Sequence, residues 1–343
     1  MHIASGGTIQ ALAGNLDRAL RLFGVGLRRA APGEVLLRTS ELEPLLEVLC
    51  RTPAPDVNAL PETIVFSCDR ALQIEALLRS YLDHVVEAGP VHVLYRTSSE
   101  EHATAYLDVM RRLATSGIRW VRQEHRESFR SQLLQLLAGI EADRMLFLVD
   151  DDLFVEPLDF GDLAGIELRY SVPSLRMGMN LTYCYTTGQD QQQPPIRPVR
   201  LTQSAARIET QENPSAELIE WDWRLGCFDW SYPLSLDGHL FDTAEVCAMS
   251  EAISFSSPST YESQLQRFAP FFLPRIGVCY SKSRLLNIPF NRVQRRYRNR
   301  AGTVGAEELL DHWRKGLRID HESYYGVRNV SAHQDLPLRL SNR

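Results

Sequence analysis

The chain has 343 residues, 44% of them hydrophobic and 23% charged, which suits a globular protein with a sizeable core and excludes disorder as its main state. Its 37 basic and 43 acidic side chains leave a formal net charge of −6, which argues against a nucleic-acid partner. No apolar run approaches the roughly 18 residues of a membrane span, so membrane contact would be peripheral.

Residues 1–60 form a helical preface and linker. Ala11–Leu22 and Glu41–Leu49 are predicted helices, the second with Pro44 in its first turn, and Arg51–Pro61 reads as a proline-bearing linker. A regular pattern starts at Glu62. Thr63–Phe66 is a compact apolar run, the signature of a strand buried on both faces. Leu72, Ala76, Leu77, Tyr81 and Leu82 then share one predicted helical face, ended by Gly89-Pro90. Val91–Tyr95 is a second strand. Ser98 with Glu101 reads as a capping box opening a helix to about Ala114. Ile118–Val121 is a third strand, Glu127–Ile140 a third helix and Met145–Val149 a fourth strand. Strands about 27 residues apart, with one amphipathic helix in each interval, predict a mostly parallel sheet with crossover helices.

The pattern then loosens, so the chain divides into residues 61–160 and 161–343. Ile166–Val172 is a weak strand and Gly188–Pro198 an exposed loop. Asp237–Ile253 and a stretch after Ser257 are helices, Ile276–Tyr280 is a late strand, residues 281–300 are rich in Arg, and Glu307–Trp313 is helical. Cys50, Cys68, Cys184, Cys227, Cys247 and Cys279 show neither paired nor zinc-ligand spacing and suit a reducing cytoplasm. The N-terminus lacks the basic and apolar segments of a signal peptide.

The strongest chemical signal is Asp150-Asp151-Asp152, placed where the fourth strand ends. Ligands of parallel α/β sheets bind beyond the carboxyl ends of the strands. Clustered carboxylates repel one another, and a divalent cation removes that cost while bridging to phosphate oxygens. In an extended segment Asp150 and Asp152 would share one side. Asp152 is then the direct ligand of Mn²⁺ or Mg²⁺, Asp150 a contact to ribose or a metal-bound water, and Asp151 lies on the other side. The alternative is a solvated acidic turn.

An acidic Asp-x-Asp at the end of a central strand, with SCDRA at 67–71, WSYPLSLDGHLF at 230–241, NIPFNRVQ at 287–294 and SAHQ at 331–334, resembles GT-A glycosyltransferases of bacterial polysaccharide and glycoconjugate clusters. The resemblance implies a Rossmann-like, mixed but mostly parallel sheet flanked by helices, and leaves the first 60 residues unexplained. It also implies transfer of a sugar from a UDP-, GDP- or dTDP-sugar to a glycan or lipid-linked glycan, with inversion. Ser67, Asp69 and Arg70 would meet the donor, as would Asp150 and Asp151, and Arg96 and Thr97 lie where the base is often touched. Asp69 is equally a helix N-cap. Asp237 would act as the base on the acceptor hydroxyl, or else cap the helix predicted after it. Trp230, Tyr232 and His239 would contact the acceptor, with core packing as the plain alternative. Arg292, Arg295 and Arg296 would stabilise the leaving diphosphate, or simply form a solvated basic face able to meet anionic lipid. His333 would complete the metal shell.

No GxxxxGK[ST] loop, GxGxxG, GxSxG or HExxH is present. Two rivals remain: a sugar-phosphate nucleotidyltransferase, which would release pyrophosphate, and a non-catalytic glycan-binding module, which would lack metal-dependent nucleotide affinity.

Overall fold

Thr63–Phe66 and Met145–Leu148, apolar throughout, become adjacent strands at the centre of one sheet. The computed structural model describes residues 39–50, 56–199, 217–291, 300, 302 and 304–343. Its elements begin with α1 (Thr39–Leu49), β1 (Glu62–Cys68), α2 (Ala71–His84), β2 (Val91–Arg96), α3 (Glu100–Arg112), β3 (Arg119–Arg122), α4 (Phe129–Leu137) and β4 (Arg144–Val149). They continue with β5 (Asp152–Phe154), β6 (Ser171–Ser174), β7 (Ile196–Pro198), β8 (Leu218–Asp222), β9 (Leu240–Asp242), α5 (Thr243–Ala252), α6 (Pro258–Leu265), β10 (Ile276–Tyr280), β11 (Leu285–Asn287) and α7 (Ala306–Arg314).

The main sheet has five strands in the order β9-β4-β1-β2-β3. β1 runs parallel to both β2 and β4, β2 runs parallel to β3, and β9 alone is antiparallel, against β4. This is the mixed, mostly parallel α/β sheet expected from the strand spacing. Successive residues point to opposite faces of a strand, and the core divides accordingly. Val65, Leu146 and Leu148 pack with α2 and α3 on one face. Ile64, Phe66, Met145 and Phe147 pack with α1, α4 and α5 on the other. A second sheet, β7-β8-β10-β6, lies beyond, and β11 pairs antiparallel with β5 so that Asn287 stands opposite Asp152.

Several local expectations change. The N-cap of α3 is Ser99, one residue later than predicted, and it accepts from the backbone of His102. Ile166–Tyr170 forms turns, with strand only from Ser171. The predicted exposed loop at Gly188–Pro198 ends in β7. No helix begins at Asp237. Gly238 takes a left-handed φ of 72°, β9 follows, and α5 starts only at Thr243, capped by Asp242, whose side chain accepts from Ala244 and Glu245. A glycine suits this turn twice over: the backbone angle disfavours side chains, and a Cβ here would meet Leu285 at 2.4 Å. The predicted helix Ala11–Leu22 and Arg292, Arg295 and Arg296 lie outside the described residues. Among the described residues no helix is long and apolar enough to cross a membrane.

Candidate active site

The carboxyl ends of β1 and β4 lie side by side because the two strands pair in parallel, with Phe66 opposite Val149. The chain leaves β1 through Cys68 and Asp69 and leaves β4 through the three aspartates, so both segments meet at one edge.

Asp150 and Asp151 form a turn and Asp152 opens β5, so the three are not one extended run, which overturns the expected alternation. Asp150 and Asp151 both face Arg70, whose Nη1 lies 2.6 Å from Asp150 Oδ1 and 3.1 Å from Asp151 Oδ2. Asp150 Oδ2 also accepts from Ser67 Oγ at 2.9 Å and from the Cys68 amide at 3.1 Å. The Ser67 hydroxyl is held in turn by the buried Tyr106 hydroxyl, which accepts from the Arg70 amide. Burial works against the Arg70 charge, but Asp150 and Asp151 outweigh it and raise the guanidinium pKa, so Arg70 stays ionised. Asp150, expected as a metal contact, is thereby committed to Arg70, Ser67 and Cys68. Asp69 is not a helix cap. Its φ is 56°, Arg70 occupies the N-cap position of α2, and the Asp69 carboxylate accepts from the Ser98 amide at 2.7 Å, tying the end of β1 to the loop after β2.

Asp152 sits in a different environment. It is 2% exposed. Its Oδ2 accepts from the Val149 amide at 2.9 Å and its Oδ1 from Asn287 Nδ2 at 3.1 Å. Burial pushes its carboxyl well above the usual range, and the nearby charges of Asp237 and Asp151 push it further. Asp237 comes from the turn before β9, where the Gly238 amide donates to Phe147 O at 2.9 Å and so fixes this loop on β4. Asp237 Oδ2 lies 3.0 Å from His333 Nε2 and 3.6 Å from Arg176 Nη1. Burial alone would raise the Asp237 carboxyl, but the His333 bond and charge, with Arg176, hold it below the ordinary aspartate value. Burial opposes the His333 charge, yet the same bond wins and raises its pKa. Glu262 on α6 joins the cluster: burial first, then Asp237, push it up to about 7, and its Oε1 accepts from Ser235 Oγ and the Leu236 amide. Arg176 also reaches Asp229, at 3.5 Å.

The aromatic block divides. Trp230 and His239 are fully buried, with Trp230 edge-on to Trp221 and the His239 ring against Trp223 and Phe241. Burial, with Arg176 nearby, lowers His239 to about 3, so it is a neutral core residue. Neither reaches an acceptor, because neither presents surface; core packing is their role. Tyr232 is half-buried.

Arg176, Asp229, Glu262 and Asn287 belong to this site although no local motif marks them. Asn287 lay within NIPFNRVQ and Asp229 within the aromatic-rich stretch 221–241, but neither was assigned a role there. The described residues gather no group of three or more His, Cys, Asp or Glu side chains suited to a metal ion. A cation here would therefore draw on substrate oxygens as well, as Mg²⁺ commonly does. The carboxylate donors present suit that arrangement, since oxygen ligands favour Mn²⁺ or Mg²⁺, and the like charge around Asp152 is what a cation would neutralise.

Fold and site together define an α/β protein with a buried cluster of acidic side chains at the carboxyl edge of its parallel strands. No family model matches the sequence, and neither does any curated protein. Among solved structures it is similar to the apo form of WbbM, a bifunctional glycosyltransferase, at 12% identity over 66% of this chain and 39% of that one, TM-score 0.33. It is also similar to the mannosyltransferase PcManGT from Pyrobaculum calidifontis in complex with GDP-Man and Mn²⁺, at 13% identity over 51% of this chain and 53% of that one, TM-score 0.26. A third is GalNAc-T7 with UDP, GalNAc and Mn²⁺, at 11% identity over 65% of this chain and 44% of that one, TM-score 0.34. This chain thus spans about half of each solved chain or less. At these TM-scores the likenesses carry no argument about activity.

Proposed function

We propose that the protein is a glycosyltransferase that binds a nucleoside-diphosphate sugar through a divalent cation and moves the sugar to a glycan or lipid-linked glycan hydroxyl with inversion. One observation carries this reading: a buried carboxylate, Asp152, stands at the carboxyl edge of the central parallel strands with only the Val149 amide and Asn287 as partners, while Asp151 and Asp237 lie close by. A cluster of that kind costs stability unless a cation balances it.

Asp152 would hold the cation, with His333 nearby and substrate oxygens filling the remaining positions. When bound, the metal supplies charge neutralisation for the departing diphosphate. Ser67 and Asp69 line the edge where a nucleoside would lie. Arg70 orients the acidic turn from within, through its pairs with Asp150 and Asp151. Asp237, held ionised by His333 and Arg176, is the group to accept the proton of the attacking hydroxyl. Tyr232 offers a ring to the acceptor. Arg292 would add positive charge beside the diphosphate.

The test is a thermal-shift screen of UDP-, GDP- and dTDP-sugars with and without Mn²⁺, on the native chain and on Asp152→Ala. A bound donor raises the midpoint by mass action, by about 2.7 kcal/mol at a hundredfold excess over Kd. We expect one donor class to stabilise the native chain only with Mn²⁺, and Asp152→Ala to lose that response while staying folded. Equal shifts in both proteins would contradict the role of Asp152.

A further inference from the structure

The proposed site draws on chain segments far apart in sequence: the turn 150–152, the Asp237 loop and His333. β1 and β4 place the first and β9 the second. The segment carrying His333 belongs to no extended strand, and its register against the aspartates needs another cause.

Asn287 supplies it. Its residue position in β11 lies opposite Asp152 on β5 and also forms a parallel bridge with His333. Its main-chain amide donates to Ala332 O at 3.1 Å, and its carbonyl accepts from the Gln334 amide at 2.9 Å. The two residues flanking His333 are therefore both pinned to Asn287. The side chain points the other way, into the acidic turn: Nδ2 lies 3.1 Å from Asp151 Oδ1 and 3.1 Å from Asp152 Oδ1. An amide nitrogen carries two hydrogens, and here each has its own carboxylate. The orientation is unambiguous, because the flipped amide would set its oxygen against both carboxylate oxygens. Asn287 is 4% exposed, so water does not take over these bonds.

Asparagine fits this place for stated reasons. Aspartate would have the same shape but would add a third buried negative charge and remove both donors. Alanine would leave the two carboxylate oxygens without their donor while sparing the backbone bonds to residues 332 and 334.

We infer that Asn287 is a positioning residue that holds Asp151 and Asp152 in register with His333, so that the cation and the diphosphate meet a preset group of donors. This rests on the proposed metal-dependent nucleotide site and extends it to a residue that touches neither metal nor substrate. The second anchor of the His333 segment is separate: Asn180 Nδ2 donates to Asn329 O at 2.8 Å and to Asn329 Oδ1 at 2.9 Å, away from the aspartates.

The experiment is calorimetry of the full chain with Mn²⁺ plus UDP, and separately Mn²⁺ plus GDP, on the native protein, Asn287→Ala and Asn287→Asp. Thermal melting without ligand is measured alongside. Outer-shell partners of metal ligands typically contribute about 10–100-fold in affinity. We expect a loss in that range for Asn287→Ala and at least as large a loss for Asn287→Asp, with melting temperatures close to native. Metal-dependent affinity in both variants within about twofold of native, well below that range, would overturn the inference and leave the nucleotide site standing. Loss of the folded state in both variants would make Asn287 a structural residue and also overturn it. If the native protein binds neither nucleotide with Mn²⁺, nor dTDP with Mn²⁺, the proposed function itself fails.

Discussion

The two ends of the acidic turn differ in how their charge is answered. At Asp150 the carboxylate has a guanidinium 2.6 Å away, a serine hydroxyl and a backbone amide. At Asp152, two residues on, the carboxylate has one backbone amide and one asparagine, and its nearest charges are of its own sign. Residues of the same type in one short turn therefore do different work. The first is paired with a guanidinium and structural, although burial still raises its carboxyl above the ordinary value. The second is left in deficit, and a deficit of that kind is what a cation-binding position provides.

The contrast is broken most forcefully at Arg70. Removing one partner of a buried ion pair costs about 3–5 kcal/mol, because the other charge stays buried and unanswered. Arg70→Met leaves two such carboxylates, so chemical denaturation should show a loss at the top of that range or no folded protein. A loss below about 1 kcal/mol, the scale of an exposed pair, would mean that Asp150 is not balanced by Arg70. Asp152→Ala should do the opposite, sparing the fold and removing metal-dependent donor binding.

A smaller effect sharpens the other side of the comparison. Glu262, pushed up to about 7 by burial and by Asp237, binds a proton in the folded state between its ordinary value near 4.5 and about 7. A carboxyl raised in this way gives stability that is fully present below the lower value and is lost as pH rises toward the upper one. His333, with its pKa raised by Asp237, acts in the same sense as pH passes its folded value. The metal-free protein should therefore melt at a lower temperature at pH 8 than at pH 5. Glu262→Gln should narrow that gap by about 2–4 °C, the shift that 1 kcal/mol gives in a mid-sized domain. An unchanged gap would remove Glu262 from the cluster.

The parallel half of the fold was legible because β1, β2 and β4 are buried on both faces and each helix has an amphipathic period, two signals that lie within short windows of sequence. Asp150–Asp152 was legible for the same reason, as a polar break at the end of an apolar run. The direction in which each aspartate points was not, because the segment turns instead of extending. Asp237 was misplaced onto a helix: Asp-Gly-His reads as a cap before an apolar run, whereas Gly238 makes a turn into the short strand β9. Trp230 and His239 looked like acceptor contacts because an aromatic-rich stretch has the same composition whether it forms a core or a sugar platform. Asn287, Glu262, Arg176 and Asp229 reach the site from distant segments, and nothing in their neighbours' identity announces a partner that far away.

The most direct measurement is a crystal structure of the native chain with Mn²⁺ and the nucleoside diphosphate that stabilises it, with the metal located by anomalous scattering. The account predicts a metal peak about 2.1 Å from an Asp152 oxygen, a typical distance for a small divalent cation on oxygen, with diphosphate oxygens completing its shell and Arg70 still on Asp150. A nucleotide bound elsewhere, or bound at this edge with the metal away from Asp152, would contradict it.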